Sequence, residues 1–231
     1  MNNLSLQIIF LTLKIAVIST VLVTFFSLFL AWKLRRVSVK IKNSIEMLIN
    51  ISLFISPSVL GYILILILGK NGIIGAFLYK YFNITVMFSW WAGIITCFFV
   101  TIPLMYNNIK AGMASLNPVY YEAGLEAGAS EFQILRLITI PLIKKNILAG
   151  ILLSFGRAMG EFGATLMLAG NIPGKTQTIS MAIYSASESG DTARANFFLI
   201  VILVISFVVM IFYNYLFVRE KTFKERKDKW N

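Results

Sequence analysis

Arg157 and Glu161 carry opposite charges four residues apart, inside the otherwise apolar and small-residue run 147–169. On a helix that spacing brings both side chains to one face. Arg157 lies 12 residues beyond Lys145, roughly 18 Å along a helix axis and near the middle of a hydrocarbon core about 30 Å thick. An isolated charge at that depth costs at least ~2.5–3.5 kcal/mol on insertion scales. Pairing lowers the cost, so the pair should face protein or water and not lipid. Two readings stand. The pair lines or gates a polar route, with Thr165 and Asn171 as further lining candidates. Alternatively it is buried polar glue between helices or across a dimer interface. Gly156 and Gly160 form GxxxG beside it, which predicts close approach of a neighbouring helix.

A second constellation spans Glu122 to Pro141, EAGLEAGASEFQILRLITIP. Glu122, Glu126, Glu131 and Arg136 are too many charges for a membrane span, yet the apolar residues keep helical spacing. Ala123, Gly124, Ala127, Gly128 and Ala129 are small, so another surface can come close to the backbone. Gly128 suits a left-handed break between two short helices. Ser130 with Gln133 predicts a capping box, and Glu131 suits the first turn. Pro141 fits the first turn of a further helix. The prediction is helix, turn, helix, then a membrane span. Such an element either docks a partner or lies idle at the membrane interface.

Other chemistries find no residues. There is no histidine, which removes His acid–base work and His-ligated metals. Cys97, the only cysteine, reads as a small packing residue. Gly174-Lys175-Thr176 spells the end of a phosphate-binding loop, but Ala169 stands where that loop needs a glycine, and no strand precedes it. ATP binding by this chain is not expected.

These residues need elements to hold them, and composition says which. The chain has 231 residues, 58% hydrophobic and 13% charged, with mean hydropathy +0.80. A soluble domain could not cover that apolar surface. Five runs are long enough to cross a bilayer: residues 6–32, 45–68, 86–105, 147–169 and 197–218. Pro57 and Pro103 are expected to kink the second and third. Nothing basic precedes Lys14, so the positive region of a cleaved signal is missing and the first run is expected to remain as a helix. Between the runs, 69–85 and 180–186 are expected to hold short helices on the outer side. Segment 171–196 is polar and a candidate for the outer mouth of a pathway. Of the basic residues, 15 fall on one side of the membrane and 4 on the other, with Lys14 and Arg157 inside spans. The positive-inside rule then puts the N-terminus outside, and the C-terminus and Glu122–Pro141 in the cytoplasm. The net charge of +11 is therefore topological, with some attraction to anionic lipid, and is no nucleic-acid footprint.

Glu122-Ala123, Gly128 and Ile138-Thr139-Ile140-Pro141 resemble the EAA motif of ABC-importer permeases, with Gly124 where alanine is usual and Ile140 where leucine is usual. The resemblance implies an all-α integral membrane protein of the type I ABC-importer permease fold, with about five core transmembrane helices, or six, and a cytoplasmic coupling helix. It implies a permease domain over residues 1–218, with the EAA loop at 122–141, and a charged cytoplasmic tail at 219–231. Glu122, Ala123, Gly124, Leu125, Gly128, Ile138 and Pro141 would then couple to a separate ATPase. Ser56–Tyr62, Asn71–Gly75 and Gly156–Ala186 resemble the molybdate branch, to which sulfate/thiosulfate and tungstate permeases are similar. Implied partners are a second permease chain in a homodimer, two cytoplasmic ABC ATPases carrying the ATP and Mg, an extracytoplasmic oxyanion-binding protein and the lipid bilayer of the cell membrane. No cofactor is implied in this chain and no covalent chemistry. In that frame Arg157, Glu161, Thr165 and Asn171 would line or gate an anion route. The rivals are an ATP-independent secondary transporter using the Arg157–Glu161 pair as a switch, and, more poorly supported by the residue inventory, an intramembrane enzyme.

Overall fold

A computed structural model describes the backbone of residues 3–228 and the side chains of residues 3–215. All regular structure among them is helical: α1 (Asn3–Leu34), α2 (Val39–Phe54), α3 (Pro57–Leu68), α4 (Ile73–Phe82), α5 (Trp90–Ala114), α6 (Val119–Glu126), α7 (Glu131–Ile134), a π-helical turn (Leu135–Thr139), α8 (Ile140–Leu142), α9 (Lys144–Met159), α10 (Gly163–Ala169), α11 (Ile179–Glu188) and α12 (Thr192–Asp228). Among the described residues, α1, α5 and residues 192–215 of α12 are each long and apolar enough to cross a membrane alone. Two bent pairs, α3 with α4 and α7–α8 with α9, bring the number to as many as five.

α5 is the central helix. It packs against α1, α9, α10, α2 and α3. Three apolar clusters surround it. Ile8, Ile15, Ile94, Met159 and Phe198 form one, and Val23, Met105, Ile109 and Ile143 another. Leu60, Leu64, Val86, Ala164 and Leu168 form the third, where α3 and α10 meet. The outer surface carries many large apolar side chains, Phe10, Phe25, Phe54 and Phe207 among them. Helices surrounded by lipid have no reason to be polar outward. Hydroxyls buried along α1 bond back to their own helix. Thr12, Thr20 and Thr24 donate to the carbonyls four residues earlier at 2.8, 2.7 and 2.7 Å.

Several expectations are corrected. Pro57 does not kink one long helix; it starts a new one. Ile55 and Ser56 are extended, and Ser56 accepts from the Val59 N–H. A proline both lacks the donor for a continuing helix and disfavours helical backbone at the residue before it. Pro103, by contrast, is absorbed inside α5. The fourth run is also two helices, α9 and α10, interrupted at residues 160–162. The short helices expected over 69–85 and 180–186 are present as α4 and α11. At Gly75, which α4 turns against the end of α3, an added Cβ would lie 1.9 Å from the Gly69 carbonyl oxygen. Within the segment 219–231, given above as a charged tail, the backbone continues α12 to Asp228; its side chains and residues 229–231 lie outside the described residues.

Candidate functional site

The segment 122–141 folds as its residues dictate. α6 ends at Glu126 with Ala127 as its C-cap, and Gly128 takes φ +75°, the left-handed conformation glycine adopts without strain. Ser130 accepts from the Gln133 N–H at 3.3 Å while Gln133 Oε1 accepts from the Ser130 N–H at 2.7 Å, the reciprocal capping box. Past α7 the chain widens into a π turn in which the Ile140 N–H donates to Leu135 O, five residues back. Only Ile140 separates that turn from Pro141, whose ring would crowd the carbonyl of Leu137 and which offers no N–H to it. The whole of Glu131–Leu142 then meets α9 at 73°.

The exposed and buried faces of this element divide its residues into two groups. Glu122, Ala123, Leu125, Gly128 and Pro141 are exposed, and Ile138 is half-buried. Val119, Tyr120, Phe132 and Leu137 are large, apolar and exposed beside them. Gly124 is buried, and its smallness serves an internal contact: an added Cβ would stand 2.9 Å from Ile134 Cγ1 and 3.1 Å from Ile138 Cδ1. The expectation that all five small residues admit an outside surface is corrected at this position.

A clasp that sequence reading missed ties this element to α1. Arg36 forms an ion pair with Glu131. Arg35 lies 4.9 Å over the Tyr121 ring, and Trp32 meets Phe132 edge-on at 6.4 Å. Nothing local in residues 32–36 signals this, because the partners are about a hundred positions away. A second polar seam joins α2 to α5. Buried Glu46 accepts from Tyr106 at 2.8 Å and from Lys110 at 2.6 Å, and Asn107 donates to Asn50 at 2.8 Å.

Arg157 and Glu161 are paired at 2.8 Å, as their spacing predicts, but on a broken helix. Arg157 is in the last turn of α9. Glu161 lies beyond its end, 2% exposed, and its Oε1 accepts from the Ala164 N–H at 2.9 Å. The carboxylate thus serves both a cation and the open N-terminus of α10, where free N–H groups favour negative charge. The Arg157 side chain is about one-third exposed, at 35%. Among the described residues, no neighbouring helix fills the GxxxG face. An added Cβ at Gly156 would meet nothing within 4 Å, and one at Gly160 only Gly156 O at 4.0 Å. The close approach is made elsewhere. Added Cβ atoms at Gly61 and Gly163 would lie 2.8 Å from Ala164 Cα and 2.7 Å from Ser58 Oγ, so α10 and α3 touch nearly backbone to backbone.

Thr165 is buried against α5, its hydroxyl 2.8 Å from that of Thr96. Asn171 lies in the loop between α10 and α11 and accepts from Gln177 at 2.9 Å. Gly174-Lys175-Thr176 belongs to the same loop. Gly174 makes a left-handed turn, and Thr176 accepts from the Ile172 N–H and donates to Gly170 O, closing the loop on itself. It follows a helix and no strand. α11 is capped from across the bundle, by Thr12 of α1, which accepts from the Ile179 N–H at 3.0 Å. The structure gathers Glu122–Pro141 at one end of the bundle, the Arg157–Glu161 pair at the α9–α10 break, and Asn171 in the loop after α10.

Residues 23–221 match the family described as binding-protein-dependent transport system inner membrane component. The Bacillus subtilis molybdenum transport system permease YvgM is 42% identical over 182 residues, 79% of this chain and 80% of that one. The Haemophilus influenzae molybdenum transport system permease ModB is 35% identical over 203 residues, 86% and 89% of the two chains. The Escherichia coli sulfate transport system permease CysW is 33% identical over 187 residues, 81% and 64%. Among solved structures, a bacterial ABC transporter that imports alginate aligns with TM-score 0.74 at 19% identity, over 95% of this chain and 80% of that one. The inward-facing MetNI methionine ABC transporter aligns with TM-score 0.69 at 14% identity, over 94% and 97%.

Proposed function

The chain belongs to the family of binding-protein-dependent transport system inner membrane components, and from that premise we propose that it is the membrane-spanning permease subunit of an ATP-driven oxyanion importer taking up molybdate. The observation that carries the substrate is the 42% and 35% identity to molybdenum transport permeases over most of both chains. The chain performs no covalent step. Two copies form the transmembrane unit, two cytoplasmic ATPase subunits drive it, and an extracytoplasmic binding protein delivers the anion. The N-terminus lies outside and the C-terminus in the cytoplasm, following the basic residues.

The coupling step follows from the geometry of residues 122–141. The exposed apolar side chains Tyr120, Leu125 and Phe132 suit seating in a groove of the ATPase. ATP-driven closure of the ATPase pair moves that element. Its chain connections pull on α5 and α9, and the clasp through Trp32, Arg36 and Glu131 carries the movement to α1. The break at residues 160–162 lets α10 shift against α9 about the Arg157–Glu161 pair, which lines the anion route.

The deciding experiment is uptake of labelled molybdate by vesicles holding the complete complex, with unlabelled tungstate and sulfate as competitors. ATP-dependent molybdate uptake that excess sulfate does not suppress is the expected result. Preferential uptake of sulfate would move the chain to the sulfate branch. Uptake by the permease alone, driven by an ion gradient, would overturn the ATP-driven reading.

A further inference from the structure

At the end of α1 where it meets Glu131–Leu142, Trp32, Arg35, Arg36, Tyr121, Glu131 and Thr139 surround a cavity of about 140 Å³. The apolar run 6–32 ends at Trp32, and Lys33, Arg35 and Arg36 follow directly. The cavity therefore opens at the membrane boundary, with Trp32 at headgroup level. Leu22, Phe25 and Phe29 are exposed on α1, at helical spacings that put them in one column with Trp32 and Arg36. An acyl chain lying along that column brings its headgroup to the mouth of the cavity.

The walls make two demands that the chain itself does not meet. Arg36 is matched by Glu131. Arg35 lies over the Tyr121 ring at 4.9 Å, and among the described residues no carboxylate pairs with it. Two guanidiniums against one carboxylate leave a single positive charge to balance. Thr139, at the end of the π turn, is 3% exposed. Its hydroxyl has no hydrogen-bond partner among the described residues, yet it is not sealed from the cavity it lines. Buried hydroxyls are seldom left that way. The cavity thus asks for one negative charge carried on oxygens that accept hydrogen bonds. The phosphodiester of a lipid supplies both. A free dianion would overcompensate the walls and leave the cavity negative.

We propose that this cavity binds the phosphate of an anionic phospholipid, its oxygens accepting from the Arg35 guanidinium and the Thr139 hydroxyl, with the acyl chains along Leu22, Phe25 and Phe29. Lys33, over the Trp32 ring at 4.8 Å, adds attraction from outside the cavity. The positive-inside orientation puts the site in the cytoplasmic leaflet, where anionic lipid lies. The phosphate bridges α1 to the π turn, and so fastens the same two parts that Arg36 and Glu131 join. The inference needs α1 to cross the membrane and does not depend on which anion the chain carries.

The test titrates the purified complex, permease with its ATPase, in neutral detergent with short-chain phosphatidylglycerol, with phosphatidylcholine as the zwitterionic control. The same titration serves on the full permease chain alone if no ATPase co-purifies. Native mass spectrometry counts the bound lipid, and a melting curve reads its effect. Phosphatidylglycerol is expected to be retained in preference to phosphatidylcholine and to raise the melting temperature. Arg35→Gln should weaken its binding roughly five- to tenfold. Thr139→Val should weaken it roughly two- to fivefold and leave the lipid-free melting temperature unchanged, because the hydroxyl holds no bond to lose. A merely structural threonine would not give that split. Lys40→Gln, on an exposed residue of α2 outside the cavity, should change little. Equal losses in Arg35→Gln and Lys40→Gln would reduce the effect to general attraction at a basic surface and overturn the site. So would wild-type retention in both Arg35→Gln and Thr139→Val, or no preference for phosphatidylglycerol. Displacement of the lipid by millimolar inorganic phosphate or molybdate would make the cavity a free-oxyanion site instead. Lipid retention is read without transport, so uptake of a different anion would overturn the proposed function and leave this site standing.

Discussion

Glu161 has more partners than its place in an apolar run suggested. Its carboxylate is buried, pairs with Arg157 at 2.8 Å and caps α10 through the Ala164 N–H. Arg157 keeps about a third of its surface open. The two halves of the pair are thus not equivalent. Removing Arg157 leaves a buried carboxylate with one N–H donor, a loss that typically costs about 3–5 kcal/mol, while removing both charges is often far cheaper. Arg157→Ala should therefore lower the apparent melting temperature of the complex in nanodiscs more than Arg157→Gln/Glu161→Gln does. A double variant as unstable as the sum of its single variants would show that the two side chains do not interact. Transport separates the remaining readings. If the double variant assembles and carries molybdate at the full rate, the pair is polar glue and not part of the route. Its pairing was readable from the spacing of Arg157 and Glu161 in the sequence. The helix break between its members was not, because a Gly-Glu-Phe-Gly run in a membrane span reads equally well as continuous helix, and the contact that settles it is Gly163 against Ser58 on a distant helix.

The proposed coupling role of residues 122–141 makes two separable demands on Gly128, and a substitution series can tell them apart. The backbone there has φ +75°, and no atom lies within 4 Å of where a Cβ would point. Gly128→Ala adds strain without bulk and should cost about 1 kcal/mol. Gly128→Asn relieves most of that strain, because asparagine tolerates the left-handed region. Both are expected to retain the ATPase on purification, whereas Gly128→Trp, which adds bulk on an exposed face, should release it and abolish substrate-stimulated hydrolysis. Retention of the ATPase by all three would end the docking role. Gly124 sits on the opposite, internal face. Gly124→Val must push against Ile134, an overpacking worth about 1–3 kcal/mol, and Gly124→Val/Ile134→Ala should restore part of the lost melting temperature. The capping box, the Gly128 break and the helix–turn–helix order were all legible in the sequence, since each depends on residues within a few positions. The π turn and the clasp to Trp32 and Arg36 were not. The first is a compromise between Pro141 and continuous packing, and the second joins residues about a hundred positions apart.

At the scale of the whole molecule, the bundle has two ends with opposite character, and its orientation can be tested with one reagent. Cys97 is 1% exposed and is the only cysteine, so the wild-type chain should be silent to a membrane-impermeant maleimide. The exposed residues Asn3, Lys40 and Ser187 then serve as single reporters outside residues 122–141. Asn3→Cys and Ser187→Cys should label in intact spheroplasts, and Lys40→Cys only after permeabilisation. The reverse pattern would place residues 122–141 outside, where no cytoplasmic ATPase could reach them. The excess of basic residues near α2, the α5–α9 connection and the end of α12 favours the first outcome, because positive charge is retained on the cytoplasmic side. An outward N-terminus would set the α6–α8 end of the bundle, with Tyr120, Leu125 and Phe132 exposed, on the side where the proposed ATPase stands.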